Sequence, residues 1–312
     1  MLDEWFRYVC HISVLELMNI YYFKIAGITF RLQIDHELVV NNNFKPFLLK
    51  EAEADCCIEF LKEKNLDILD GEKLFSEVGF DVLSEENHFV RQYVEQKLDR
   101  KPYAQGRISD DGKKVVVKYL PEFAYAFTEI TNSFSHIGFD ELLMHKNRMI
   151  LHASLVKTEY GGILFSGPSK VGKSTQANLW KEYKKGEIIN GDRPILGKVD
   201  GIWYAWGSPY AGSSIYHKAS KAQIRAIILL NQGLENQIEP VSQSFSFKNL
   251  YKQTTNNSWN KWYVSKVIDM VSLLAKEVPV YRLTCTPDKR AVDVVDHYLK
   301  GEMADESERI KA

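Results

Sequence analysis

The segment SGPSKVGKST, residues 166–175, combines two glycines, a lysine and a Ser-Thr pair at fixed offsets. Gly167, Gly172, Lys173 and Ser174 fill the pattern G-x-x-x-x-G-K-[ST]. Glycines let such a loop curl with its amides inward, the lysine reaches the β- and γ-phosphates, and the hydroxyl can ligate Mg²⁺. The spacing therefore predicts a site for ATP with Mg²⁺. The residues expected to contact the nucleotide are Gly167, Pro168, Ser169, Lys170, Val171, Gly172, Lys173, Ser174 and Thr175.

The flanking sequence supports this prediction. The apolar run GILFS (162–166) is typical of a strand, and STQANLWKEY (174–183) is typical of an amphipathic helix. A strand, a glycine-rich turn and a helix start together aim backbone N–H groups and the positive end of the helix dipole at an anion. A plain glycine turn with Lys173 in solvent would not explain why the four residue types coincide. We call residues 167–172 the glycine loop.

A carboxylate and a histidine are expected near this loop. A bound Mg²⁺–nucleotide needs a further anionic ligand, and Asp192 follows the short apolar run EIIN (187–190). Ser174 and Asp192 are thus the predicted metal ligands; the alternative is that Asp192 and Arg193 only shape a turn. His152 lies in the strand predicted before the loop strand. If the two strands pair, its ring approaches the loop, and otherwise it is a core residue.

A second glycine-rich run, WGSPYAGSS (206–214), is followed by Lys218. A cation fixed beside the transferring phosphoryl group stabilises the charge that spreads over its oxygens. Lys218 is therefore a candidate catalytic residue. An ordinary lysine in a solvated loop explains the same sequence equally well.

Three segments occur in order along the second half of the chain: LHASLV (151–156), GPSKVGKST (167–175) and NGDRP (190–194). Together they resemble the catalytic core of the HPr kinase/phosphorylase superfamily over about residues 136–300. They are more similar to the HPr-kinase-like proteins associated with peptide modification than to HPr kinase itself. The resemblance implies an α/β fold with a mixed-sheet P-loop core of the HPr kinase/PEP carboxykinase type. It also implies that His152, Lys173 and Asp192 are catalytic.

The sequence departs from that family at one position of the site. The family carries two consecutive aspartates, one as base toward the acceptor hydroxyl and one for the metal, whereas this chain has Gly191-Asp192. Three arrangements follow. Asp192 serves both the metal and the proton, His152 takes the proton, or the chain binds nucleotide without efficient transfer.

The resemblance implies an ATP-dependent phosphotransferase that acts on a hydroxyl, with serine expected, of a peptide, protein or small molecule. One alternative is a catalytically impaired, nucleotide-binding regulatory protein. The other is a different ATP-using enzyme related to PEP carboxykinase.

Charge and cysteine content limit the partners and the setting. The 312 residues include 40 basic and 41 acidic side chains, so no net positive field gathers nucleic acid or an anionic membrane. None of the four cysteines forms a C-x-x-C pair, which favours free thiols in a reducing cytoplasm. The oligomeric state stays open, a homo-oligomer included.

The pattern predicts two domains and a tail. Residues 1–135 form a β-rich domain, with ITFRLQI (28–34) alternating at period two and GRISDDGKKVVVKY (106–119) turning at Asp111-Gly112. Residues 136–300 form the kinase-like domain, with one helix over SFSHIGFDELLMHKN (133–147) at its start. Residues 301–312 are expected to be a mobile charged tail, because Gly301 is typical of a helix end. Residues 1–17 are expected to be an extra helix or a start-site artefact, since Met18 precedes the first strand.

Overall fold

The structure, a computed structural model, describes residues 18–85 and 88–311. The chain divides into two compact units, one ending at Lys146 and one beginning at Asn147. Each unit is built on a mixed β-sheet with helices, so the fold is mixed α/β. The extra helix or start-site artefact predicted for residues 1–17 lies outside the described residues.

The first unit contains one sheet with the strand order β3-β1-β2-β4-β9-β8-β7-β6-β5. The β2–β4 and β4–β9 pairs are parallel, and the other pairs are antiparallel. The strands are β1 (Asn19–Ile25), β2 (Ile28–Ile34), β3 (Leu48–Leu49), β4 (Cys56–Lys62), β5 (Glu72–Glu77), β6 (Phe80–Glu85), β7 (His88–Glu95), β8 (Lys101–Ile108) and β9 (Lys114–Tyr119).

Two sequence patterns account for part of this sheet. The alternating apolar residues of β2 are buried, as the period of two predicts; they are Ile28, Phe30, Leu32 and Ile34. The predicted hairpin joins β8 to β9 and turns at Gly112, whose φ of 65° is in the left-handed region that favours glycine.

Two short helices, α1 (Ile130–Ser135) and α2 (Phe139–His145), follow the first sheet. The single helix predicted there is wrong, because Gly138 takes a φ of 63° and breaks the helical path. Phe134 of α1 packs edge-on against Phe23 of β1, and Phe139 of α2 packs against Phe30 of β2. Since both helices bury aromatic rings on this sheet, the first unit extends to Lys146 and does not end at residue 135.

The second unit has the strand order β10-β14-β15-β16-β12-β11-β13, with β18 also paired to β16 and β17 paired to β18. Its strands are β10 (Arg148–Ile150), β11 (Ala153–Thr158), β12 (Gly161–Ser166), β13 (Glu187–Asn190), β14 (Ile195–Val199), β15 (Ile202–Trp206), β16 (Lys221–Gln232), β17 (Gln237–Pro240) and β18 (Val280–Cys285). Its helices are α3 (Lys173–Lys184), α4 (Gln243–Gln253), α5 (Lys261–Glu277) and α6 (Lys289–Lys311).

Helices α3 and α6 share one apolar core with strands β12, β16 and β18. A buried carboxylate fixes the far end of α3: Asp296 of α6 accepts hydrogen bonds from Lys184 Nζ at 2.7 Å and Tyr160 Oη at 2.6 Å. Burial alone would raise the pKa of Asp296, but these hydrogen bonds and one from Lys300 hold it at about 2. The helix that follows the glycine loop is therefore anchored at its C-terminal end.

Helix α6 continues through Gly301 to Lys311, so the helix end expected at Gly301 is wrong, and the mobility of the charged tail at residues 301–312 stays a prediction. The sequence after Gly301 contains no proline and is rich in good helix formers, so one glycine, which costs about 1 kcal/mol relative to alanine, does not end the helix. Neither α6 nor any other helix of the described residues is long and apolar enough to cross a membrane.

Candidate active site

Three chain segments meet at one edge of the second sheet. Strand β11 is antiparallel to both β12 and β13, with Ala153 opposite Ser166 and Leu155 opposite Asn190. The end of β12, the start of β11 and the end of β13 therefore lie side by side. The glycine loop, His152 and Asp192 leave the sheet at this edge. The predicted antiparallel pairing is confirmed, although His152 immediately precedes its strand and does not lie within it.

The backbone of the glycine loop is curled. Gly167, Lys170 and Gly172 have φ values of 147°, 67° and 117°, all in the left-handed region. Helix α3 begins directly after the loop, and no side chain caps its first turn. Because the first-turn amides of a helix point along its axis, this end of α3 presents N–H donors and the positive end of the helix dipole. The arrangement can accept an anion.

Lys173, the first residue of α3, is buried and folds back over the glycine loop. Its Nζ donates to the carbonyl oxygens of Gly167 and Pro168, each at 3.1 Å. Burial lowers the pKa of Lys173, and the negative charge of Asp192 opposes that shift. The loop thus holds an ammonium group within the electrostatic reach of the carboxylate.

Asp192 lies between a histidine and an arginine. Its Oδ1 is 3.3 Å from His152 Nε2, and its Oδ2 is 3.4 Å from Arg193 Nε. The other ring nitrogen, His152 Nδ1, is 3.1 Å from Gln253 Oε1. Both ring nitrogens of His152 therefore face polar side chains, one on each side of the ring. The ring is held from both sides, and the carboxylate remains partly exposed.

Asn190 sets the position of Asp192. This fully buried residue accepts the backbone N–H groups of Asp192 at 3.0 Å and Arg193 at 2.7 Å through its Oδ1. Its Nδ2 donates to the carbonyl of Ser208 at 3.0 Å. Asn190 was not among the predicted site residues, although an asparagine that lies two and three residues before the amides it binds is a known turn signal.

Two buried serines connect the same segments through the backbone. Ser154 Oγ donates to the carbonyl of Gly191 at 2.8 Å, and Ser166 Oγ donates to the carbonyl of His152 at 3.0 Å. These residues and Gln253 were also missed. Gln253 gave no sequence signal, because it reaches the site from α4, an element that the sequence analysis did not predict.

Gly191 has no room for a side chain. A Cβ atom built there would lie 2.0 Å from Ser214 Oγ and 2.3 Å from Ser214 Cβ. The Ser214 side chain therefore fills the space that an aspartate at position 191 would need. Glycine at position 191 therefore leaves the space that the Ser214 side chain occupies.

Lys218 is the predicted site residue that the structure does not bring to the others. Its Nζ forms an exposed ion pair with Glu187 Oε1 at 2.8 Å, at the start of β13. Asp192 follows the other end of that strand. The ammonium of Lys218 therefore points away from the edge where the glycine loop leaves the sheet.

The predicted metal ligands, Ser174 and Asp192, are too few to hold a metal ion by themselves, but they suit Mg²⁺ that is also bound by phosphates and waters. Ser174 is exposed in the first turn of α3, and Asp192 offers one carboxylate. In the described part of the chain, no three His, Cys, Asp or Glu side chains cluster as a metal site. Mg²⁺ usually takes one or two carboxylates together with substrate phosphates and waters. The donor set therefore suits a magnesium ion that arrives with a nucleotide.

Comparison with known proteins adds a likeness in structure. No family model and no curated protein sequence matches the chain. Among the solved structures that match is an HPr(Ser) kinase/phosphatase from Coxiella burnetii, which is 14% identical. The match covers 52% of this chain and 97% of that chain, with a TM-score of 0.30. At this level of similarity, the likeness carries no functional weight by itself.

Proposed function

We propose that the second unit is an ATP-dependent phosphotransferase that moves a phosphoryl group to a hydroxyl acceptor. The observation that supports it best is the arrangement at the sheet edge. An uncapped helix start and a buried ammonium lie beside Asp192, which is partly exposed. An anion-binding backbone, a cation and a carboxylate are the groups that phosphoryl transfer uses.

Each group has a role in this proposal. The amides of the glycine loop and the ammonium of Lys173 bind the phosphates and hold the terminal one against the sheet edge. Mg²⁺, when bound through Ser174 and Asp192, neutralises charge on the phosphate oxygens. Asp192 accepts the proton of the acceptor hydroxyl. His152, whose ring lies between Asp192 and Gln253, orients that carboxylate.

Gly191 favours a second candidate function. Since the chain lacks the additional carboxylate of the resembling family, a nucleotide-binding regulatory protein without phosphoryl transfer is the alternative. It would bind ATP through the glycine loop and form no ADP with any acceptor.

Calorimetric titration with ATP and Mg²⁺ tests the nucleotide site. Replacing Lys173 by alanine removes a charge-assisted contact worth about 1.5–3 kcal/mol, so ATP affinity should fall about tenfold to a hundredfold. The matched control is Lys157→Ala, which removes an exposed lysine from the opposite end of β11 and should leave affinity unchanged. Equal affinity in the wild type and Lys173→Ala would contradict the proposal.

Labelled phosphate tests the transfer. The protein is incubated with γ-labelled ATP, Mg²⁺ and fractionated cell extract, and the label is followed into peptides, proteins and small molecules. Transfer that is lost in Lys173→Ala supports the phosphotransferase. ATP binding without ADP formation across these acceptors supports the regulatory alternative.

A further inference from the structure

A loop between β15 and β16, residues 207–220, folds over the candidate site; we call it the serine loop. Its first part is tied to the segment around Asp192, because Ser208 Oγ donates to the carbonyl of Arg193 at 2.7 Å. Its second part is tied to the same segment: the N–H of Gly191 donates to the carbonyl of Tyr216 at 3.2 Å. Both ends of the serine loop are therefore fixed relative to the carboxylate.

The tip of the serine loop, residues 211–214, lies against that carboxylate. The N–H of Ser214 donates to the carbonyl of Ala211 at 2.9 Å, which closes a tight turn. A Cβ atom built at Gly212 would lie 2.9 Å from Asp192 Oδ2. Oδ1 of the same carboxylate faces His152, so Oδ2 is the oxygen on the side of the tip.

Ser214 brings a hydroxyl to this place. Its side chain occupies the space beside Gly191, the residue before Asp192, and its Oγ accepts the N–H of Tyr216 at 3.1 Å. This hydrogen bond uses a lone pair of the hydroxyl and leaves its proton free to be given up. Ser213, the neighbouring serine, is exposed and carries no comparable contact with Gly191.

We propose that Ser214 is a phosphoryl acceptor within the chain, so that the protein phosphorylates itself at this residue. The inference rests on the proposed phosphotransferase activity and names an acceptor for it. Ser214 Oγ lies beside Gly191, the residue before Asp192, in a loop whose Gly212 approaches Asp192 Oδ2. An acceptor fixed this close in the same chain needs no diffusional encounter, and intramolecular placement of this kind strongly favours reaction.

The reaction balances with a nucleoside triphosphate as co-reactant. A bond forms between Ser214 Oγ and the γ-phosphorus, while the bond from that phosphorus to the β–γ bridging oxygen breaks. The nucleoside diphosphate leaves with the electron pair of the broken bond. The hydroxyl proton passes to the carboxylate of Asp192.

Intact-mass spectrometry of the full chain after incubation with ATP and Mg²⁺ tests this step. We expect the addition of about one phosphate group per chain, as intramolecular transfer to a single hydroxyl gives. Fragmentation should place it on Ser214. Ser214→Ala should lose the modification, whereas Ser213→Ala, the matched control, should keep it. The rate per chain should not change when the protein is diluted, because the acceptor and the site belong to one molecule.

The results separate this inference from the function on which it rests. If ATP binds and label passes to an added acceptor while Ser214 stays unmodified, self-phosphorylation is overturned and the phosphotransferase stands. Phosphate on Ser213 alone, or a rate proportional to protein concentration, also overturns it. If calorimetry shows no ATP binding to the wild type, the proposed function itself fails. Ser214→Ala should bind ATP like the wild type, which shows that its missing modification is not a folding defect.

Discussion

Two histidines, one in each unit, show how differently this chain uses the same side chain. His136 is buried in the first unit, with its Nε2 2.7 Å from Tyr103 Oη and its Nδ1 2.6 Å from the carbonyl of Asn132. Aromatic rings surround it, including Phe127 and Tyr93. His152 in the second unit is partly exposed, and its ring faces the carboxylate of Asp192.

The polar contacts of His136 belong to the core of the first unit, whereas those of His152 belong to the candidate site. Burial lowers the pKa of His136 from 6.5 to about 4, against the opposing hydrogen bond to Asn132, so this ring is neutral in the folded protein. Both of its ring nitrogens have hydrogen-bond partners within the core. The groups around His152 converge on a carboxylate that still reaches solvent, as the proposed phosphoryl transfer requires. Changes at these two places should therefore affect different measurements.

Phosphoryl transfer should depend most strongly on the carboxylate of Asp192. Asp192→Asn keeps the shape of the side chain but removes the charge and the proton acceptor, so transfer should fall about 100-fold, near 3 kcal/mol. The carboxylate is partly exposed, so the urea midpoint should change little. The control is Asp200→Asn in the β14–β15 turn, where a φ of 49° suits asparagine equally well. Wild-type turnover in Asp192→Asn would mean that the carboxylate acts elsewhere.

Acid should weaken the first unit through His136. The unfolded chain takes up this proton near pH 6.5 and the folded chain only near pH 4, so the stabilisation is complete above pH 6.5 and is lost as pH falls between these values. The loss approaches about 3 kcal/mol at pH 4. Urea unfolding followed by circular dichroism at several pH values measures it. His136→Asn should flatten the dependence.

Alanine substitutions at the two histidines should affect ADP formation and stability in opposite ways. His152→Ala removes the partner that orients Asp192, so ADP formation should fall about tenfold, or about 1.4 kcal/mol, with the urea midpoint nearly unchanged. His136→Ala should lower the midpoint and leave ADP formation per folded molecule unchanged. If both variants changed the same measurement, the division between the two histidines would be wrong.

The smallest expected effect concerns alkaline pH. Because burial lowers the pKa of Lys173, its ammonium should be lost at a lower pH than that of an exposed lysine. The phosphates of ATP bind the protonated ammonium of Lys173, so ATP affinity should fall across the alkaline range, starting at a lower pH than an exposed lysine would give. Lys173→Arg keeps a charged group throughout this range and should show no such decline in calorimetric titrations.

Sequence patterns predicted the parts of the fold that depend on interactions between residues close together in the chain. The alternation of β2, the Asp111-Gly112 hairpin and the strand, loop and helix around Gly167 follow from residue period and glycine geometry. The antiparallel pairing that places His152 near the loop followed from two apolar runs joined by a short turn.

The rest required information from distant parts of the chain. Helix α4 was not predicted, although Ser242 caps its first turn, and with it the contact from Gln253 to His152. Lys218 was placed at the site by its neighbourhood in sequence, but its partner, Glu187, lies on another strand. From the sequence, Gly191 indicated only that a carboxylate was missing. The tertiary structure shows that the Ser214 side chain fills the space that a side chain at position 191 would need.

The side-chain amide of Asn190 restricts which residues can replace it during evolution. Its oxygen serves the turn that carries Asp192, and its nitrogen serves the loop that carries Ser214. An aspartate there would replace the donating NH₂ group by an oxygen, which would face the carbonyl of Ser208, and would bury a negative charge, although the two side chains differ by a single heavy atom. We therefore expect substitutions at position 190 to be tolerated only when the turn that carries Asp192 and the loop that carries Ser214 change as well.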